Sequence, residues 1–72
     1  MEPKTLFGQR LKQLREEAKL TQEELAIKLD TKKQYISRYE LDQFEPSFYF
    51  LVKAADLFRV TTDYLLGRSE MR

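Results

Sequence analysis

The twenty residues "TQEELAIKLDTKKQYISRYE", positions 21–40, decide how the chain folds. Thr21 is followed three residues later by Glu24, with Gln22 and Glu23 between them. This is a capping-box pattern, in which the hydroxyl accepts from the third helical N–H and the carboxylate reaches back to the N–H of the cap. Leu25, Ala26 and Leu29 then fall on one side of a helix expected to stop near Asp30. Thr31 opens the pattern again, with Gln34 three residues on. About two residues are thus expected between two short helices, and helices joined so tightly must cross at a large angle, as in a helix-turn-helix.

The flanking sequence continues the helical period. From about Lys4 to Ala18, Phe7, Leu11, Leu14 and Ala18 recur as one apolar stripe, with Arg10, Lys12, Glu16 and Glu17 on the other side. After Leu41, Pro46 and Ser47 mark a helix start with Ser47 as cap, and Phe48, Leu51, Val52, Ala55 and Phe58 form its apolar face. In "RVTTDYLLG" Thr61 or Thr62 caps a fifth helix, Leu65 is assigned to the core, and Gly67 suits its C-terminal end. The fold class is therefore all-α: five short helices around one core, a single domain over 1–72 with its core at 5–67 and a short tail at 68–72 that is expected to fray.

Stepping ~100° per residue from Thr31 places Lys33, Gln34, Ser37 and Arg38 within an arc of roughly 140°. Every member of that arc donates hydrogen bonds and none is acidic. Ile36 and Tyr39 fall on the opposite side with Tyr35 at its margin, and Lys32 lies over the apolar side in the first turn, where its long stem can bend away. These residue types match what the major groove displays. Arginine or lysine can bond both acceptors of guanine, and glutamine can pair with the acceptor and donor of adenine. The N-terminal turn of a recognition helix lies nearest the bases, and its dipole end is positive towards the anionic duplex.

Composition narrows the function classes. The 72 residues carry 13 Lys and Arg against 12 Asp and Glu, so net charge (+1) names no partner and its distribution has to. Lys32, Lys33 and Arg38 lie in an acid-free segment, and Glu40, Asp42 and Glu45 follow in a base-free one. There is no cysteine and no histidine. Disulfides, thiolate metal sites and the commonest general base are thereby excluded, and no catalytic residue, metal or cofactor is expected. Asp56 and Asp63 read as helix acids rather than a catalytic pair. No apolar run approaches the roughly 20 residues of a membrane span, and "MEPKTLFGQR" lacks the features of a signal peptide, so a cytoplasmic location is expected.

Taken in order, "FGQRLKQLREEAKLTQEELAIKL", "YISRYE", "EPS" and "VTTDYLLG" make residues 7–67 resemble the Cro and phage-repressor (XRE) type of helix-turn-helix domain. Gln22, Leu25, Ala26, Ile36, Ser37 and Glu40 stand at that family's spacing. The resemblance implies a compact lambda-repressor-like fold and a DNA-binding transcriptional regulator, a repressor acting as a homodimer on a palindromic operator. It places a phosphate contact at Gln22 and base-edge contacts at Lys32, Lys33, Gln34 and Arg38. Ser37 lies beside them, Tyr35 faces a thymine methyl or a sugar, and Arg10 reaches a backbone phosphate. Arg15 and Glu40 form its structural ion pair. Its dimers form through the C-terminal helices, which makes Leu66 an interface candidate. The exposed-aromatic pattern adds Phe44 and Tyr49.

The sequence departs from the family where Asp30, Asp42 and Arg59 replace customary glycines. "DQFE" also replaces a basic loop, leaving Gln43 as its one candidate contact. The alternatives are an antitoxin-like or other protein-interaction module on this fold, prompted by "DQFEPSFYF", and a transcriptional activator or controller protein. A chain this short is expected to take its regulation from concentration, cleavage or a regulatory protein partner.

Overall fold

The computed structural model describes residues 5–72, and every regular element among them is a helix. In chain order these are α1 (Phe7–Glu17), α2 (Gln22–Lys28), α3 (Lys33–Glu40), α4 (Phe48–Phe58) and α5 (Thr62–Leu66). The expected stripe of α1 buries Phe7, Leu11 and Leu14 against α3 and α5. Its bounds are narrower than expected. Ala18 is exposed at the C-cap, and Lys4 lies outside the described residues.

The capping box of α2 forms as read. Thr21 Oγ1 accepts from the Glu24 N–H at 3.0 Å, and Glu24 Oε1 accepts from the Thr21 N–H at 2.8 Å. The turn after α2 corrects the reading of the next boundary. Asp30 adopts a left-handed conformation (φ 55°) and donates to the Ile27 carbonyl, while the Thr31 N–H reaches back to Ala26 at 2.9 Å. This Schellman closure consumes both residues following Leu29. The N-cap of α3 therefore falls on extended Lys32, not Thr31, and no side chain caps α3. Four residues, 29–32, rather than two join the helices.

All five helices close in the same way. Left-handed residues stand at Lys19, Asp30, Asp42, Arg59 and Gly67. The residues that follow donate to carbonyls five positions back: Leu20 to Arg15, Thr31 to Ala26, Gln43 to Arg38, Val60 to Ala55 and Arg68 to Asp63. Gly67 alone of the five is a glycine. The side chain at each of the other four carries a steric cost of about 1–2 kcal/mol, least for the two aspartates, whose short polar chains tolerate this region.

The face of α4 also differs from expectation. Ser47 caps it, accepting from the Phe50 N–H at 3.1 Å, but the helix buries Phe50, Leu51, Ala54 and Ala55. Val52 and Phe58 are half-buried, and Phe48 is 80% exposed. The register is chosen across the core. Phe50 stacks on Tyr39 of α3 (centroids 4.5 Å apart), and Phe7 of α1 meets both rings edge-on at 5.7 and 6.1 Å. Burial drives the Tyr39 phenol above its ordinary pKa. Thr61 caps α5, which buries Tyr64 and Leu65.

Residues 68–72 carry no regular structure and contact α1 through side chains. Arg10, only 8% exposed, donates to the carbonyls of Tyr64 and Ser69 at 2.9 and 2.8 Å and to the Glu70 carboxylate at 2.8 Å. Its guanidinium lies 4.1 Å from the centre of the Tyr64 ring. Arg72 pairs with Glu17 at 2.8 Å, which lowers the Glu17 pKa and raises that of Arg72. A buried arginine thus gathers the irregular segment after α5, although exposed pairs such as Arg72–Glu17 add little by themselves.

Gly8 marks where α1 approaches the end of α3. A Cβ there would overlap the Tyr39 carbonyl oxygen and press on Asp42 Oδ1 at 2.7 Å. Gly8→Ala should therefore destabilise the fold by about 1–3 kcal/mol in urea denaturation. Arg59→Gly should stabilise it by about 1 kcal/mol, because the left-handed cap then loses its steric cost.

Candidate nucleic-acid interface

The scaffold of the site is a buried ion pair. Arg15 near the end of α1 presents two N–H groups side-on to Glu40, the last residue of α3, at 2.7 and 3.0 Å. The side chain of Glu40 is 4% exposed and that of Arg15 12%. Two further bonds extend the pair: Arg15 Nη1 donates to the Leu20 carbonyl at 2.9 Å, and Gln22 Nε2 donates to Glu40 Oε1 at 3.0 Å. Hydrogen bonding to Glu40 outweighs burial and holds the Arg15 guanidinium above its ordinary pKa. One carboxylate therefore joins the end of α1, the start of α2 and the end of α3.

That junction sets the position of the face above it. Gln22, Lys33, Gln34, Ser37, Arg38 and Gln43 line one concavity on the protein surface. Four come from α3, and Ile36 (fully buried) anchors the opposite side of that helix. Gln22 comes from the first turn of α2, held by Glu40. Gln43 comes from the loop, where its backbone N–H closes α3 on the Arg38 carbonyl at 2.9 Å. No acidic side chain lines the concavity. The first turn of α3 contains no acid and no side-chain cap, so its positive dipole end stays unopposed beside Lys33 and Gln34.

The remaining candidates separate. Lys32 is exposed at the N-cap of α3 and is not among the residues that line the concavity. Tyr35 is exposed on the flank of α3, with its ring 6.0 Å from that of Phe44. Arg10 is corrected: its guanidinium is committed inside the fold to α5 and the tail, so the polar side of α1 does not present it outward. Phe44 packs against α3, whereas Leu66 lines a separate, mainly apolar groove with Pro46, Phe48 and Leu51, edged by Thr5 and Glu45. Tyr49 is exposed beside Lys53, which itself donates to the Leu29 carbonyl at the end of α2. Sequence reading missed Phe48 as a surface residue, because three aromatics in a row leave the buried one undetermined.

A helix-turn-helix family model matches residues 11–65. The chain belongs to the XRE-type helix-turn-helix family. It is 44% identical over 65 residues to the HTH-type transcriptional regulator ImmR of Bacillus subtilis (strain 168), covering 90% of this chain and 51% of ImmR. The chain therefore spans about half the length of that relative. Among solved structures it is similar to the P22 c2 repressor in complex with a synthetic operator (25% identity, TM-score 0.81, covering 88% of this chain and 96% of that one). It is also similar to SinR, the master regulator for biofilm formation, in complex with DNA (39% identity, TM-score 0.76, covering 83% and 97%). The lambda-repressor-like architecture is the one these structures share.

Within this helix-turn-helix domain the Arg15–Glu40 pair is where a single change should do most harm. Glu40→Ala leaves a guanidinium and an amide without their acceptor, and should cost about 3–5 kcal/mol in chemical denaturation. Lys33→Ala, on the solvent side of the same helix, should fall within about 0.5 kcal/mol of the parent.

Proposed function

We propose that this chain is a sequence-specific double-stranded DNA-binding transcriptional regulator that reads the major groove with α3. The reading rests on one observation: six donor-bearing side chains from α2, α3 and the following loop converge on a single acid-free concavity. Lys33, Gln34 and Arg38 are the types that bond base edges in the major groove. Gln22, Ser37, Gln43 and the exposed Lys32 at the N-cap of α3 suit phosphates, which position a protein without specifying sequence. Tyr35 offers a ring edge to a thymine methyl or a sugar. Regulation is by repression, in which an occupied operator excludes polymerase; the likeness to a repressor bound to its operator supports this.

The acting unit is a homodimer on a palindromic operator. The groove in which Pro46, Phe48, Leu51 and Leu66 give an apolar floor beside Thr5 and Glu45, with Phe48 80% exposed, supports self-association. A second reading, a protein-interaction module whose regulatory partner covers the same groove, draws on the same exposure. No helix among the described residues is long and apolar enough to cross a membrane, in keeping with action on DNA in the cytoplasm.

Selection of bound sequences from a random duplex pool tests this. The expected result is a motif of two inverted half-sites centred about 34 Å apart. Affinity should fall steeply as salt rises. Arg38→Ala and Gln34→Ala should each weaken binding to the selected duplex by about 1–3 kcal/mol. A lone half-site would contradict the homodimer. Parent-like binding by both variants, or salt-insensitive binding, would overturn the assignment of α3.

A further inference from the structure

Phe44 lies between α3 and α4, in the loop whose acids suit it poorly to a phosphate backbone. It is 39% exposed, yet its ring meets three side chains of α3. Tyr35 lies 6.0 Å away in a tilted arrangement, Tyr39 5.9 Å away edge-on, and the guanidinium carbon of Arg38 5.3 Å from the ring centre. Positions 35, 38 and 39 form one flank of a helix by the i, i+3, i+4 rule. The Schellman turn delivers the ring to that flank: Asp42 turns left-handed (φ 59°), and the Gln43 N–H bonds the carbonyl of Arg38 itself.

Resting on the DNA-binding reading above, we infer that Phe44 is a positioning residue, which fixes the Arg38 guanidinium at the rim of the reading concavity through its ring face. Arg38 is exposed and joins none of the salt bridges found among the described residues. A long arginine left to itself surrenders side-chain freedom on meeting a base, and a prepositioned one surrenders less. The kind of restraint matters. A carboxylate would occupy the same N–H groups that bond guanine or phosphate. An aromatic face attracts the cation through the flat side of the guanidinium and leaves the donors in its plane available. Asp42, the nearest acid in sequence, has its Oδ1 against Gly8 at the start of α1. The loop thus contributes to recognition by holding a donor on α3, and needs no basic residue of its own.

The test uses Phe44→Leu, which keeps apolar cover and removes the ring, and Phe44→Tyr, which keeps both. In the parent without DNA, ring-current shifts should move the Arg38 side-chain protons upfield in NMR spectra. Phe44→Leu should abolish those shifts while the core methyls of Ile36 and Leu65 stay in place, and Phe44→Tyr should retain them. With the selected duplex, Phe44→Leu should reduce discrimination against single base-pair changes by about two- to fivefold. It should have no further effect in an Arg38→Ala background. Unchanged Arg38 shifts in Phe44→Leu, or additive effects in the double variant, would overturn the inference. If the parent binds no selected duplex, the DNA-binding reading fails, and the NMR comparison still decides whether Phe44 restrains Arg38.

Discussion

A charged carboxylate with 4% of its surface exposed has to be satisfied where it sits, and the rest of the molecule is arranged to do so. Glu40 receives two N–H groups from Arg15 and one from Gln22. Such a pair adds little net stability over apolar packing, but removing one partner is costly, so the three elements it joins have one low-energy arrangement. The end of α1, the start of α2 and the end of α3 are thereby set relative to each other. Because Gln22 belongs to the network and also borders the concavity, the orientation of the candidate interface is inherited from the core.

The other constraints act on the same helix from different sides. Ile36 and Tyr39 are held by the core, with Phe7 and Phe50 packed around Tyr39. Gly8 permits α1 to touch the last turn of α3. Lys53 bonds the carbonyl at the end of α2 and keeps the elbow of the helix-turn-helix against α4. What remains on α3 after these contacts is one polar edge, with donors and no acids. A small domain has little surplus stability, and here the buried contacts also fix the side chains offered to a partner.

Much of this was legible because it is local. Capping boxes, apolar stripes and the polar arc of α3 depend on residues within a turn or two of each other. Thr21, Ser47, Ile36 and Gly67 accordingly take the places their neighbours dictate. The boundary at Thr31 was misread because a Schellman closure draws two residues into the turn before the next helix can start, and Asp30 disguises a site that usually carries glycine. The face of α4 was misread because "FYF" is consistent with more than one register, and Tyr39, nine residues or more away, chooses between them. Arg10 has ordinary surface spacing on α1, and its burial comes from contacts 54 to 60 residues distant. The Arg15–Glu40 pair, 25 residues apart, came from family resemblance rather than from any local pattern.

We propose that DNA meets this protein along the edge organised by Glu40. Titrating the isotopically labelled chain with a selected duplex, and following its amide and side-chain NMR signals, tests that directly. Perturbations concentrated at Gln22, at Lys33 to Arg38 and at Gln43, with the Arg15 side-chain signals retaining their bonded positions, are the predicted result. Perturbations concentrated instead around Phe48, Leu51 and Leu66, with the first turn of α3 unchanged, would contradict it.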